Sequence, residues 1–250
     1  MDEMASVKAE GGVRRKLLFA LAIFVAVLTG WMFGRNAERE RLFAEAAASP
    51  LPTAPVPASL RGCSIWFIGS SSIANWHSMP EDMAPWEARN RGIGGATMRE
   101  ITHRFKNEPD GVPPAAIVYY AGENDIAFGG TADHAIADLQ AFIAAKRARY
   151  GQMKMMIVSL KPSPTRWDDR PKQLDFNRRA SAIATGQADL AFLDIEASLL
   201  IAGRPGPYFR EDGIHLNDAG YRKWPQAIAG AMPIILPDQA RRCNAPPRQA

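Results

Sequence analysis

The sequence predicts a doubly wound α/β domain, a parallel sheet covered by helices on both faces, joined through a linker to one N-terminal apolar span. Three observations predict it. Strand-length runs alternate with helical patterns five times along the chain, the signature of strand–helix–strand units. Most of those runs are almost continuously apolar, as strands buried on both faces must be. A charge-free N-terminal stretch is set apart from the alternating region by a proline-rich segment.

The chain has 250 residues, 47% hydrophobic and 22% charged, enough for one ordinary domain plus an appendage. Those proportions exclude wholesale disorder and a multi-span membrane protein. The net charge is +4, and the basic residues are scattered. A nucleic-acid binder gathers Lys and Arg on one stripe, so no nucleic-acid partner is expected. The one dense basic cluster, Arg14-Arg15-Lys16, directly precedes the apolar run.

Residues 1–16 read as a short cytoplasmic segment, and Leu17–Gly34 (LLFALAIFVAVLTGWMFG) as the span. At 1.5 Å per residue it covers about 27 Å, the thickness of a hydrocarbon core. Trp31 and Phe33 fall at its distal end, where aromatic rings favour the interface. A cleaved signal peptide is the alternative. The run exceeds a usual signal-peptide core, and the small residues Ala46-Ala47-Ala48 lie well past it, so it reads as an uncleaved signal anchor. Lys8 and the basic triplet oppose Arg35, Arg39 and Arg41 across the span. The tight triplet favours an N-terminus inside, giving a single-pass inner-membrane protein with a periplasmic domain.

Residues 35–59 form an Ala/Pro-rich linker in which Pro50, Pro52, Pro55 and Pro57 stiffen the chain into an extended spacer or leave it disordered. Either reading puts a domain boundary near residue 60, with the domain at 60–240 and a tail at 241–250. The two cysteines, Cys63 and Cys243, bracket that domain. They are either a bridge tying its ends in an oxidising compartment or two unrelated thiols.

Strands are expected at Ser64–Gly69, Ala115–Ala121, Met153–Leu160 and Leu190–Ile195, with a weaker one at Trp86–Arg91. Thr131–Tyr150 is an amphipathic helix with Thr131 as N-cap, apolar Ile136, Leu139 and Ile143 on one face, and Gly151 at its end. Thr97–Phe105, Asp175–Thr185 and Asp218–Met232 are further helices, the last kinked at Pro225.

Ligands bind such sheets at the carboxyl ends of the strands, which directs attention to Gly69-Ser70-Ser71-Ser72, Asn90–Thr97, Gly122-Glu123-Asn124-Asp125 and Asp212-Gly213-Ile214-His215. A serine hydroxyl becomes a nucleophile only when a base takes its proton, and the base works best when a carboxylate fixes its tautomer. Of the four histidines, His77 and His134 have no acidic residue three positions earlier, and the Glu100–His103 pair sits on a helix face. His215 has Asp212 three residues before it, in a loop ahead of a helix. Singly, Asp-x-x-His and a serine cluster are more often structural; the combination is specific. No metal-ligand spacing is present, and Gly92, Gly94 and Gly95 lack the dinucleotide-loop spacing, so no cofactor is expected.

The ordered set Gly69-Ser70-Ser71, Gly95, Gly122-Glu123-Asn124-Asp125 and Asp212-x-x-His215 resembles the blocks of the SGNH/GDSL hydrolase superfamily over about residues 60–235. The resemblance implies a three-layer α/β/α flavodoxin-like fold and a serine esterase. It implies Ser71 as nucleophile, Asp212 and His215 as its partners, and an oxyanion hole of the Ser71 and Gly95 N–H groups with the Asn124 amide. The family's Gly-Asp-Ser-Leu is Gly-Ser-Ser-Ser-Ile here, which leaves the nucleophile open among Ser70, Ser71 and Ser72, with Ser71 favoured by position. Arg166 and Trp167, in the Lys161–Asp169 loop, are candidates to bind substrate, the ring by stacking on a sugar, or else they pack the loop. The expected partner is a small-molecule or glycan ester, short-acyl or acetyl, with lipase or lysophospholipase substrates as another class; an O-acyltransferase or a non-catalytic envelope module would use the same residues differently.

Overall fold

The computed structural model describes residues 63–238, together with Ala44, residues 48–52 and Cys243. The predicted anchor, the segment before it, and most of the linker and tail lie outside the described residues. Among the described helices none is long and apolar enough to cross a membrane.

Five strands form one sheet: β1 (Ser64–Gly69), β2 (Glu87–Gly92), β3 (Ala116–Tyr120), β4 (Lys154–Val158) and β5 (Leu190–Leu193), in the order β2-β1-β3-β4-β5. Every pairing is parallel, with Phe67 opposite Asn90 on one side and Val118 on the other. The predicted strands hold, each within a few residues of its expected ends. The order reverses direction between β1 and β3, and ligand crevices open at such a switch point.

Side chains alternate along each strand and divide the core in two. Ile68, Ile117, Tyr119, Met155 and Ile157 face one layer, where Ile101, Phe105, Leu139, Phe142 and Phe176 meet them. Ile65, Phe67, Val118, Tyr120 and Met156 face the other, where Trp76, Met79, Trp224 and Ile228 meet them. That is the three-layer α/β/α arrangement.

The helices on the chain follow their local signals. The short α1 (Ser71–Ala74) and α2 (Met79–Asp82) come straight after β1. α3 (Met98–Lys106) and the short α4 (Glu123–Ala127) precede α5 (Ala132–Tyr150); Thr97 caps α3, Thr131 caps α5, and Gly151 ends α5. α6 (Arg170–Ala184) begins earlier than the expected Asp175, because Pro171 sits in its first turn, where a missing N–H costs nothing. The expected Asp218–Met232 helix is two helices, α7 (Asp218–Tyr221) and α8 (Lys223–Ile235), parting at Arg222. The break comes before Pro225 and not at it, since that ring would collide with the carbonyl four residues back, Tyr221, and cannot donate to it. After β5 in the chain comes a separate two-stranded antiparallel hairpin, β6 (Leu200–Ile201) with β7 (Arg204–Pro205).

Two ties hold the edges of the domain. Cys63 and Cys243 are disulfide-bonded, their Cα atoms 5.9 Å apart. Within the predicted linker, Leu51 is buried; its N–H donates to Glu108 Oε1 at 2.7 Å, while its carbonyl and that of Pro52 accept from Arg91. Arg91 and Glu108 form a buried ion pair at 2.5 Å. Leu51 and Pro52, within the predicted linker, are therefore docked on the domain.

Candidate active site

The nucleophile loop is built by close approach. A Cβ on Gly69 would stand 2.2 Å from the Tyr120 carbonyl and 2.6 Å from Ile73 Cγ1, so only glycine lets the chain turn directly off β1. Ser70 N–H then bonds the Tyr120 carbonyl at 3.2 Å, and Ser71 opens α1. Asn90, on β2, donates to the Ile73 carbonyl at 2.7 Å and fixes the far end of that turn. Of the three serines, Ser70 and Ser72 are buried and Ser71 is half-buried. Only Ser71 meets the histidine: its Oγ–H lies 2.9 Å from His215 Nε2.

The histidine loop is a tight return held from both sides. Phe209 and Leu216 pair across it, and Arg210 N–H donates to the His215 carbonyl at 2.8 Å. Thr165 reaches over from the loop after β4; its hydroxyl donates to the Asp212 carbonyl at 2.7 Å. Asp212 Oδ2 accepts from His215 Nδ1–H at 2.6 Å, while Oδ1 accepts the N–H groups of Ile214 and His215 at 2.8 and 2.9 Å. Burial works to raise the Asp212 pKa, but the His215 ring and these two backbone donors outweigh it and bring it down to about 2. An ionised Asp212 keeps the proton on Nδ1, leaving the Nε2 lone pair for the Ser71 hydroxyl.

Gly95 and Asn124 belong to the segments that follow β2 and β3. Gly95 adopts φ +73°, a left-handed conformation suited to glycine. Asn124 Nδ2 donates to the Ala96 carbonyl at 3.0 Å, joining the loop after β2 to the loop after β3. Asp125, on α4, accepts the Met98 N–H at 3.1 Å and so holds the first turn of α3.

Arg166 and Trp167 are placed differently from one another. Arg166 is turned toward the crevice, and its Nη2 donates to Asn124 Oδ1 at 2.9 Å. Trp167 has the guanidinium of Arg204 5.0 Å from its ring centroid and that of Arg170 5.9 Å away, the environment of a packed loop residue.

Sequence reading missed a buried pair beneath Asn124. Lys161 Nζ donates to Glu123 Oε2 at 2.6 Å, both side chains fully enclosed, and Tyr120 Oη lies 3.4 Å from the same ammonium. Burial pulls Lys161 below its usual range while Glu123 opposes that. The only signal was a lysine ending an otherwise apolar strand run.

The sequence profile of the GDSL-like lipase/acylhydrolase family matches residues 64–223, a span that holds Ser71, Gly95, Asn124, Asp212 and His215. The chain belongs to the GDSL-like lipase/acylhydrolase family. As a member it is an SGNH-type esterase. Among relatives, it is 27% identical over 169 residues to the platelet-activating factor acetylhydrolase IB subunit alpha2 of Rattus norvegicus, covering 64% of this chain and 71% of that one. Solved structures share the fold. A GDSL-like lipase from Bacteroides thetaiotaomicron aligns with TM-score 0.62 at 22% identity, over 79% of this chain and 98% of that one. A carbohydrate esterase family 3 protein from Talaromyces cellulolyticus aligns with TM-score 0.56 at 17% identity, over 70% and 98%.

Proposed function

We propose that this esterase cleaves short-acyl carboxylic esters, acetyl esters foremost, by attack of Ser71. The observation that carries the reading is the unbroken relay from Asp212 through His215 to Ser71, at 2.6 and 2.9 Å. His215 takes the hydroxyl proton as Oγ bonds the carbonyl carbon, and Asp212 holds the imidazolium that forms. Charge developing on the carbonyl oxygen is met by the Ser71 and Gly95 N–H groups and the Asn124 amide. His215 then returns the proton to the departing alcohol, and water, activated by the same base, releases the acid. The names acetylhydrolase and carbohydrate esterase among similar proteins support an acetyl ester on carbohydrate as substrate.

The test is covalent labelling. A fluorophosphonate probe should modify Ser71 alone, and Ser71→Ala should lose p-nitrophenyl acetate hydrolysis by a factor of about 10³ or more. Ser72→Ala should keep labelling at Ser71. Modification found on Ser70 or Ser72 by mass spectrometry overturns the assignment. Because Asp212 stays ionised down to a pKa of about 2, protonation of this carboxylate should not limit kcat/KM above about pH 3, and an acid limb traced to Asp212 above that pH would count against the relay.

For placement, we infer a domain held outside the cytoplasm by the Leu17–Gly34 segment as an uncleaved anchor. The charge-free run and the Cys63–Cys243 bond, which suits an oxidising compartment, support that reading. Protease added to spheroplasts should digest the domain, and a protected domain refutes the placement.

A further inference from the structure

The loop after β4 bonds to both halves of the candidate site. At its root, Lys161 N–H donates to Tyr120 Oη at 3.3 Å and Lys161 Nζ donates to Glu123 Oε2 at 2.6 Å. At its far end, Arg166 donates to Asn124 Oδ1 at 2.9 Å. Glu123 and Asn124 are neighbours on α4, so residues 161–166 leave that helix and return to it as a closed loop. Lys161, Pro162 and Ser163 are buried, while Pro164 and Thr165 are exposed at the tip. Each proline fixes its own φ and keeps the residue before it, Lys161 or Ser163, from the helical region. A loop pinned at both ends and stiffened twice between them has little freedom in where its tip stands.

The tip rests on the loop of the acid–base pair. Thr165 N–H donates to the Gly213 carbonyl at 3.1 Å, and its hydroxyl donates to the Asp212 carbonyl at 2.7 Å. The fit is close, since a Cβ on Gly213 would collide with Thr165 Oγ1. Within that loop, the Asp212 carboxylate binds the imidazole and two N–H groups of its own turn. Those bonds hold Asp212 against His215 and leave open where the pair stands relative to Ser71, 144 residues from His215 in the chain. Burial of Leu216 in the core anchors one flank of the loop. The Asp212 flank has no such anchor, for its side chain is 42% exposed. Among the described residues, the hydrogen bonds that reach residues 210–216 from outside 207–217, the Ser71 contact apart, are the two from Thr165.

We propose that Thr165 is a positioning residue, and that residues 161–166 are a strap tying the acid–base pair to the helix that carries Asn124. His215 and the oxyanion donor are then set against one ester as a unit. The proposal deepens the esterase reading and rests on it. Thr165 acts through the Asp212 carbonyl on the place of the imidazole, and a misplacement of about 1 Å can cost about 10² in rate.

The experiment follows p-nitrophenyl acetate hydrolysis by the full chain and its variants. Thr165→Val keeps the shape and removes the hydroxyl donor. It should lower kcat about tenfold with KM changed by less than about twofold, and Thr165→Ser should recover most of the loss. The downfield proton resonance of His215 Nδ1–H should shift or broaden in Thr165→Val and return in Thr165→Ser, which a loss of stability alone does not produce. Thr165→Val combined with Arg166→Ala separates a strap from two local contacts. Independent contacts multiply to about a hundredfold, whereas parts of one unit should lose no more than about thirtyfold together. The full product overturns the strap. A Thr165→Val enzyme with wild-type kcat, or with its loss confined to KM, overturns the positioning role, as does a lowered denaturation midpoint beside an unchanged resonance. Failure of the esterase reading itself looks different: the wild type cleaves no ester and no fluorophosphonate probe labels Ser71.

Discussion

At Asn124 two hydrogen bonds decide which way round a side-chain amide is held. Arg166 Nη2 supplies a donor to Oδ1, and the Ala96 carbonyl accepts from Nδ2. An amide flipped end for end would oppose guanidinium to NH₂ and carbonyl to carbonyl, so Nδ2 keeps a second hydrogen, the one that the proposed mechanism would use at the oxyanion. Losing an oxyanion donor outright costs about 10²–10³ in kcat; losing only its orientation should cost less. Arg166→Ala is expected to lower kcat about tenfold with little change in KM for p-nitrophenyl acetate, and Arg166→Lys to recover part of the loss, as steady-state kinetics would read. A rise confined to KM would make Arg166 a ground-state binder of substrate instead. The Asp212–His215 contact was legible in the sequence because its partners lie three residues apart, whereas the sequence leaves open which of Ser70, Ser71 and Ser72 meets the imidazole, since that contact spans 144 residues. The Arg166–Asn124 bond was not legible, because its partners lie 42 residues apart on different loops, and only the sheet order brings those loops together.

Helix α3 shows how one element carries a pH dependence of its own. Its Met98 N–H is satisfied by Asp125 from α4, and burial raises that carboxyl to about 6, the Met98 N–H opposing and Asp138 adding to it. The folded pKa lies above the unfolded value of about 3.9. The contribution of Asp125 to stability is thus fully present below pH about 4 and is lost as pH rises through about 6, amounting to roughly 2–3 kcal/mol at most. Asp125→Asn keeps an acceptor for Met98 and abolishes the titration. Urea midpoints should show the variant gaining on the wild type between pH 4 and 7; parallel curves would exclude the effect. The elements themselves were legible because each carries a local marker: threonines 97 and 131 as caps, Gly151 as a stop, continuous apolar runs as strands. The α7–α8 break was misplaced because the steric reach of Pro225 acts four residues upstream, on a carbonyl rather than on its own position. The docking of Leu51 was invisible for a different reason, since its partners, Arg91 and Glu108, are polar and distant in the chain.

The whole domain is bounded by Cys63 and Cys243, 180 residues apart in sequence. A loop of that length should restrict the unfolded chain by about 5 kcal/mol in the chain-entropy account, with 2–5 kcal/mol the usual measured loss when such a bond is removed. Reduction, or Cys63→Ser with Cys243→Ser, should shift the denaturation midpoint by that amount; equal midpoints with and without reductant would show that the bond does not hold the domain. The composition of the sequence placed both cysteines at the rim of the domain, yet two bracketing thiols read the same whether paired or free, and only the 5.9 Å approach of their Cα atoms distinguishes the cases.

That closure also makes the molecule a covalent ring from residue 63 to residue 243, and a ring has no first residue. A single cut at the exposed turn of Phe128 and Gly129 would leave both halves joined, a nicked enzyme that migrates as two fragments only after reduction. By the same reasoning the chain could be reopened at that turn and its old ends fused, moving the serine loop from the beginning of the polypeptide to its latter half while every strand keeps its neighbours.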